Sequence, residues 1–350
     1  MSVKQELLAT IADLVQPGKG ILAADESAPT IAKRFKAVGV ESTEATRREY
    51  RSIIFSTPKL GAHVSGVILY EETLEQLSLD DVAIPKLLAS QGIVPGIKVD
   101  QGKGPLVNAP GDEVTYGLDG LGTRLEHYKS MGARFAKWRD VFHISDTLPS
   151  FQAIKSNAEV LARYAAVCQS MGIVPIVEPE VLIDGNHSIE RAAEVSEDVL
   201  LEVFKALHRH RVDLETMVLK PSMVTPGKET GKASPEQVAE ATLSVFRRVV
   251  PAAVPGIFFL SGGQTPEEST ENLNALNSMG YHPWELSFSY GRALQEPAQK
   301  AWAGKLDNAD KAQAAIASRV RRYRLIPLTE PYIRATYTAH AINLPRTRGQ

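Results

Sequence analysis

Gly20-Ile21-Leu22-Ala23-Ala24-Asp25-Glu26-Ser27 separates the two α/β architectures open to this chain. It reads as a short apolar strand that ends in a carboxylate. A doubly wound sheet usually follows its first strand with a glycine-rich fingerprint, and none follows here. Seven similar runs recur, each starting near Gly or Pro: Gly66–Glu71, Pro95–Asp100, Arg134–Arg139, Val174–Glu178, Met217–Lys220, Gly256–Ser261 and Trp284–Gly291. Their lengths suit strands buried on both faces, as in a parallel sheet.

Helical segments lie between these runs. Ser234-Pro235-Glu236-Gln237 places Ser at a cap, Pro at the first helical position and Gln at the third, and Thr265-Pro266-Glu267-Glu268 repeats the pattern with Gly280 as a stop. Ser156 with Glu159 predicts another helix start, running to before Gly172. Eight strands alternating with helices predict an α/β fold of TIM (β/α)₈ barrel type. We expect a single barrel domain over residues 1–318, with an N-terminal helix. Residues 319–350 read as a basic appendage: they hold seven of the 21 arginines, no lysine, and Glu330 as their one acid.

The 350 residues carry a net charge of -2 and are 43% hydrophobic, which argues against general affinity for nucleic acid or anionic membrane. One cysteine, Cys168, allows no internal disulfide and no zinc cage, so a reducing compartment is expected. It reads as core packing in the apolar stretch Val160–Met171. The N-terminus, with Lys4 and Glu6, is unlike a signal peptide. The apolar run Val249–Leu260 is too short to span a bilayer and is broken by Pro251 and Pro255. A cytoplasmic location is the default.

In a barrel, reactive side chains sit at the C-terminal ends of the strands. Here those ends bring Asp25, Lys98, Lys137 with Arg139, Glu178 with Glu180, Lys220, Ser261, and Ser289 with Arg292. Three lysines interrupt apolar strands, and a buried ammonium is costly unless it has a partner or a task. Desolvation and neighbouring cations turn a lysine amine into a nucleophile for carbonyls. The loop Ser261-Gly262-Gly263 offers backbone N–H groups to an anion, and Arg292 adds a guanidinium suited to phosphate. His208-Arg209-His210 has metal-like spacing but follows the helical run Val199–Leu207, so no metal site is expected there. Trp138 should point away from Lys137 and Arg139 and pack behind its strand.

Together, Gly-Ile-Leu-Ala-Ala-Asp25-Glu-Ser, Gly-Ile-Lys98-Val-Asp, Phe-Ala-Lys137-Trp-Arg139, Val-Glu178-Pro-Glu180, Leu-Lys220-Pro, Leu-Ser261-Gly-Gly-Gln and Phe-Ser289-Tyr-Gly-Arg292-Ala resemble the class I fructose-bisphosphate aldolases. The resemblance runs from about Gly18 to about Ala317. It implies reversible cleavage of fructose 1,6-bisphosphate to dihydroxyacetone phosphate and glyceraldehyde 3-phosphate. Lys220 would form the Schiff base, Glu178 would act as the acid–base group that dehydrates the carbinolamine, with Lys137 beside it and Glu180 nearby, and Asp25 would take the C4 hydroxyl proton. Ser261, Gly262 and Arg292 would hold the C1 phosphate, with Gly263 and Ser289 as further substrate-binding residues. Lys98 and Arg139, and more loosely Ser27, Lys33 and Arg34, would lie near the C6 phosphate, with Thr30 as a mild change from the family pattern. The resemblance implies no cofactor and no metal, because an iminium replaces the Lewis acid, and it implies a homotetramer.

The resemblance stops near Val320. The family's tail ends in a tyrosine that helps to protonate the enamine, whereas this chain ends Arg348-Gly349-Gln350, and its tail tyrosines are Tyr323, Tyr332 and Tyr337. Slow proton exchange on the enamine is therefore expected alongside intact cleavage. Two other readings stay open: a related barrel enzyme acting on sedoheptulose 1,7-bisphosphate or fructose 1-phosphate, and a binding role of the arginine-rich tail toward polyanions or acidic proteins.

Overall fold

Gly20–Ala24 (β1) and Val64–Leu69 (β2) are buried at every residue. A strand with no wet face needs cover on both sides, and closing the sheet on itself inside a ring of helices supplies it. The computed structural model describes residues 2–322 and shows that closure. The further strands are Val94–Lys98 (β3), Lys103–Pro105 (β4), Glu113–Thr115 (β5), Phe135–Phe142 (β6), Val174–Val181 (β7), Val218–Leu219 (β8), Gly256–Phe259 (β9) and Glu285–Tyr290 (β10). Eight of them form a closed, all-parallel barrel in the order β1-β10-β9-β8-β7-β6-β3-β2.

The chain is thus a TIM barrel. Each of the eight apolar runs quoted above became a barrel strand, with ends shifted by a few residues. β8 is the shortest. Beyond it the ladder continues on both sides, with the Lys220 N–H donating to the Val177 carbonyl at 2.8 Å and the Leu260 N–H to the Pro221 carbonyl at 3.1 Å. β4 and β5 form an antiparallel hairpin beside the barrel mouth that the sequence reading did not anticipate.

The barrel interior is filled at its N-terminal end by Ile21, Ile68, Val94, Phe135, Val174, Ile176, Val218 and Phe258. Leu7, Ile11 and Leu14 of the helix Val3–Leu14 pack onto this layer and close that end. Salt bridges from Lys4 to Asp213, Glu6 to Lys129 and Asp13 to Arg134 pin the helix to the base. Glycine is needed inside the wall. A Cβ on Gly96 would lie 2.2 Å from the Phe135 ring, so this position makes room for the aromatic plug.

Capping explains the helix starts. Ser234 and Thr265 each close a capping box, as their sequences imply. The helix expected to begin at Ser156 instead spans Phe151–Ser170, because Ser150 accepts from the Ala153 N–H and starts it earlier. Cys168 is fully buried on this helix, and burial holds its thiol far above the ordinary range. The helix Ala309–Arg322 continues past residue 318, and Arg319 is buried against the Pro266 carbonyl and Glu267. Among the described residues no helix is long and apolar enough to cross a membrane.

Candidate active site

Side-chain alternation along β6 and β7 decides what reaches the barrel mouth. On β6, Lys137 and Arg139 point inward, while Trp138 packs on the outer side in the layer between sheet and helices. On β7, Glu178 and Glu180 point inward. Asp25 and Lys220 follow the ends of β1 and β8, and Lys98 ends β3. All of these groups line one cavity of about 450 Å³ at the C-terminal end of the barrel. Its wall carries seven basic side chains (Arg34, Lys98, Lys103, Lys137, Arg139, Lys220, Arg292) and five acidic ones (Asp25, Glu26, Asp100, Glu178, Glu180). The surplus of two positive charges suits an anionic ligand.

The deepest groups form a chain of alternating charge. Lys220 Nζ donates to Glu178 Oε1 at 2.5 Å. Lys137 Nζ lies 3.0 Å from Glu178 Oε2 and 2.8 Å from Asp25 Oδ2. Lys220 is 4% exposed, Lys137 3% and Glu178 2%, so each needs its partners. Burial alone would push Asp25 up, but Lys137, Lys220 and Lys98 more than offset it and hold its carboxyl far below the carboxylate range. Glu178 is lowered in the same way, against its burial, by Lys137, Lys220 and Arg139. Burial pulls the Lys137 ammonium down, and Asp25, Glu178 and Asp100 overcome this and hold it above the ordinary lysine range.

These shifts fix the sign of a pH effect. A carboxyl lowered in the folded state contributes stability that is present above its unfolded value and is lost as pH falls through the folded one. Lys137, raised in the folded state, contributes stability that is fully present below its unfolded value and is lost as pH rises through the folded one. Asp25→Asn should therefore differ from the unaltered protein by a constant amount in urea midpoint above about pH 5, and the gap should shrink below about pH 4. A gap that does not change between pH 3 and 7 would contradict the ion-pair chain.

Around this chain, four of the five remaining cations are held on carboxylates. Arg139 Nε donates to Glu180 at 2.5 Å, Lys98 Nζ lies 2.6 Å from Asp100, Arg34 pairs with Glu26, and Lys103 pairs with Glu113. Gln295 fixes Glu26 in turn, donating to its carboxylate and to the Ala23 carbonyl at 2.7 Å each. Arg292 differs. It donates to the Gln264 carbonyl at 2.9 Å and, among the described residues, has no carboxylate partner.

Beside Arg292 lie Ser261, Gly262 and Ser289, and the buried Ser289 hydroxyl has no hydrogen-bond partner among the described residues. Gly262 has φ +50, the left-handed region that glycine enters at least cost. Two helices, Arg292–Trp302 and Ala28–Lys36, begin at this cavity, and the N-terminal end of a helix favours an anion.

Of the residues singled out from sequence, most meet here, and two do not line the cavity. Lys33 is exposed, whereas Ser27, Thr30 and Arg34 share one face of their helix toward the mouth. Gly263 faces the neighbouring loop, where a Cβ would meet Lys228 at 2.4 Å and Ile183 at 2.5 Å. Glu26, Asp100, Lys103 and Thr115 line the cavity and were not singled out. His210 pairs with Glu159 at the surface, and among the described residues no group of side chains is arranged to hold a metal. Tyr323, Tyr332 and Tyr337 lie outside the described residues.

Comparison with known proteins agrees with this geometry. Residues 6–334 match the family model described as fructose-bisphosphate aldolase class-I, a longer span than the quoted motifs cover. A probable fructose-bisphosphate aldolase class 1 of Xanthomonas campestris pv. campestris is 52% identical over 94% of this chain and 98% of its own. Cytosolic fructose-bisphosphate aldolase 5 of Arabidopsis thaliana is 52% identical over 90% of this chain and 88% of its own. The solved fructose-bisphosphate aldolase of Plasmodium falciparum superposes with a TM-score of 0.91 at 48% identity, covering 92% of this chain and 94% of that one. Likeness on this scale, reached independently by sequence and by fold, leaves one family for the lysine-lined barrel mouth: the chain belongs to the class I fructose-bisphosphate aldolases, glycolytic carbon–carbon lyases.

Proposed function

We propose that Lys220 is the amine that condenses with the C2 ketone of fructose 1,6-bisphosphate, and that the chain Lys220–Glu178–Lys137–Asp25 runs the proton transfers of cleavage. The observation that supports this is Glu178 lying between two buried ammonium groups. Lys220 gives its proton to Glu178, its nearest acceptor, and the free amine adds to the ketone. Glu178 returns a proton to the carbinolamine hydroxyl, water leaves, and an iminium forms. Asp25 takes the C4 hydroxyl proton. The C3–C4 bond then breaks, its electron pair passes into the iminium to give an enamine, and glyceraldehyde 3-phosphate departs. A proton added at C3 and hydrolysis of the imine release dihydroxyacetone phosphate. Lys137 holds Glu178 and Asp25 apart and oriented. Glu180 keeps Arg139 in place.

Arg292, Ser261, Gly262 and Ser289 form the pocket for the phosphate next to the ketone, and Arg139, Lys98, Arg34 and Ser27 form the distal one. Only the first has a guanidinium without a carboxylate partner, so it is the stronger anchor. Arg292→Ala should raise KM for fructose 1,6-bisphosphate about ten- to a hundredfold, with a smaller change in kcat. Arg292→Lys should recover part of the loss, because an ammonium lacks the bidentate fork. Steady-state kinetics decide it: an unchanged KM in Arg292→Ala would remove this assignment. We further assign the protein to the cytosol, as named for its Arabidopsis relatives, and expect a homotetramer by light scattering. A single barrel domain followed by a basic tail is the division we favour.

A further inference from the structure

Behind the catalytic wall lies a buried acid that the mechanism does not use. Asp140 is on β6, fully buried, with the parity of Trp138 and not of Lys137 and Arg139. It therefore sits between sheet and helices, where Trp138 Nε1 donates to its Oδ1 at 3.1 Å. Among the described residues its Oδ2 meets no hydrogen-bond partner within bonding geometry, and no cation forms a salt bridge with it. The adjacent guanidinium, Arg139, is committed to Glu180 on the inner face. The hairpin approaches from β5, bringing the hydroxyl of Thr115, which interacts with the Asp140 carboxyl and donates to the Arg139 carbonyl at 2.9 Å. Thr115 also lines the active-site cavity.

A threonine hydroxyl has one proton to give. While Asp140 is un-ionised, the Thr115 proton serves the Arg139 carbonyl. A carboxylate at 140 would compete for that proton and release the carbonyl. We infer that Asp140 is a positioning residue that works as an un-ionised acid, holding Arg139 in register for the distal phosphate through Thr115. The inference rests on the reading of Arg139 as a phosphate ligand.

The surroundings keep the proton on. Burial is the main cause that pushes the Asp140 carboxyl up to about 8, and Asp100 adds to it. Thr115, Trp138 and Arg139 act the other way. From the packed helix Phe151–Ser170 the buried titratable groups are Tyr164 and Cys168, both held neutral by burial. Among the main causes acting on Asp140, Arg139 is the one opposing charge, and the carboxyl should ionise in the mildly alkaline range.

The test compares the unaltered enzyme with Asp140→Asn between pH 6.5 and 9.5. Asparagine keeps the acceptor for Trp138 and cannot ionise. In the unaltered enzyme, KM for fructose 1,6-bisphosphate should rise about two- to tenfold through a single ionisation, the change expected for one hydrogen bond, while kcat moves less. Tryptophan emission should shift with the same midpoint. Asp140→Asn should abolish both titrations at unchanged kcat, and Trp138→Phe should abolish only the optical one. The same KM profile in Asp140→Asn as in the unaltered enzyme would overturn the proposal. If that variant does not fold, the infrared difference spectrum of the unaltered enzyme decides. Loss of a protonated-carboxyl band between pH 7 and 9.5 supports a neutral Asp140, and a spectrum without that band overturns it. The optical and infrared readouts do not depend on Arg139 touching phosphate, so failure of that assignment would show as a titration of Asp140 without a change in KM.

Discussion

Lys220→Met should lower turnover of fructose 1,6-bisphosphate by roughly 10⁴- to 10⁶-fold, the scale seen when a covalent nucleophile is removed. Methionine fits the volume of the lysine stem and has no amine, so the iminium cannot form and no electron sink remains for the pair released from C3–C4. The phosphate pockets are untouched, and binding of the bisphosphate should persist. The lost charge leaves Glu178 with Lys137, at 3.0 Å and shared with Asp25, and with the field of Arg139, which together still compensate it. Folding should therefore survive, and a stopped reaction in a folded, ligand-binding protein is the expected result. Circular dichroism and equilibrium dialysis of the bisphosphate separate that result from simple misfolding.

Glu178→Gln should cost about 10²- to 10⁴-fold in kcat, the usual worth of a positioned acid–base group. The amide preserves the shape but can neither take the Lys220 proton nor return one to the carbinolamine. It also leaves two buried ammonium groups, Lys220 and Lys137, with Asp25 as the closest remaining acid. Breaking a buried pair from one side is destabilising by about 3–5 kcal/mol. Because Lys137, whose charge Glu178 helps to hold, can shed its proton to relieve the repulsion, that loss should be smaller at high pH. Denaturation at pH 7 and pH 10 measures it. Equal losses at both would mean that the ammonium groups do not feel Glu178, and a kcat within tenfold of the unaltered enzyme would remove Glu178 from the acid–base role.

The barrel was legible because its strands are apolar on both faces and its lysines interrupt them. Lys98, Lys137 and Lys220 stand out against such neighbours, and the strand ends then bring them together with Asp25 and Glu178. What escaped the sequence was partnership and facing. Lys33 and Arg34 look equivalent in a list of cations, but helical spacing from Ser27 and Thr30 brings Arg34, not Lys33, to the mouth. Ser156-Asn-Ala-Glu159 imitates a capping box, while the true cap, Ser150, has Ala153 at the third position and gives no such signal. The hairpin of β4 and β5 consists of two three-residue strands with mostly exposed or half-buried faces, too short for any periodicity to show. Asp140 lay just past the run Arg134–Arg139 read from sequence, and only the extension of β6 to Phe142 puts it on the buried side with Trp138.

The central claim is a covalent bond between one amine and a ketose phosphate. The most direct measurement is borohydride reduction of the protein with dihydroxyacetone phosphate, followed by digestion and mass spectrometry. The account predicts a single ketose adduct, on the peptide that contains Lys220, with loss of activity in proportion to labelling. An adduct on Lys98 or Lys137 instead, or full activity after complete labelling, would contradict it.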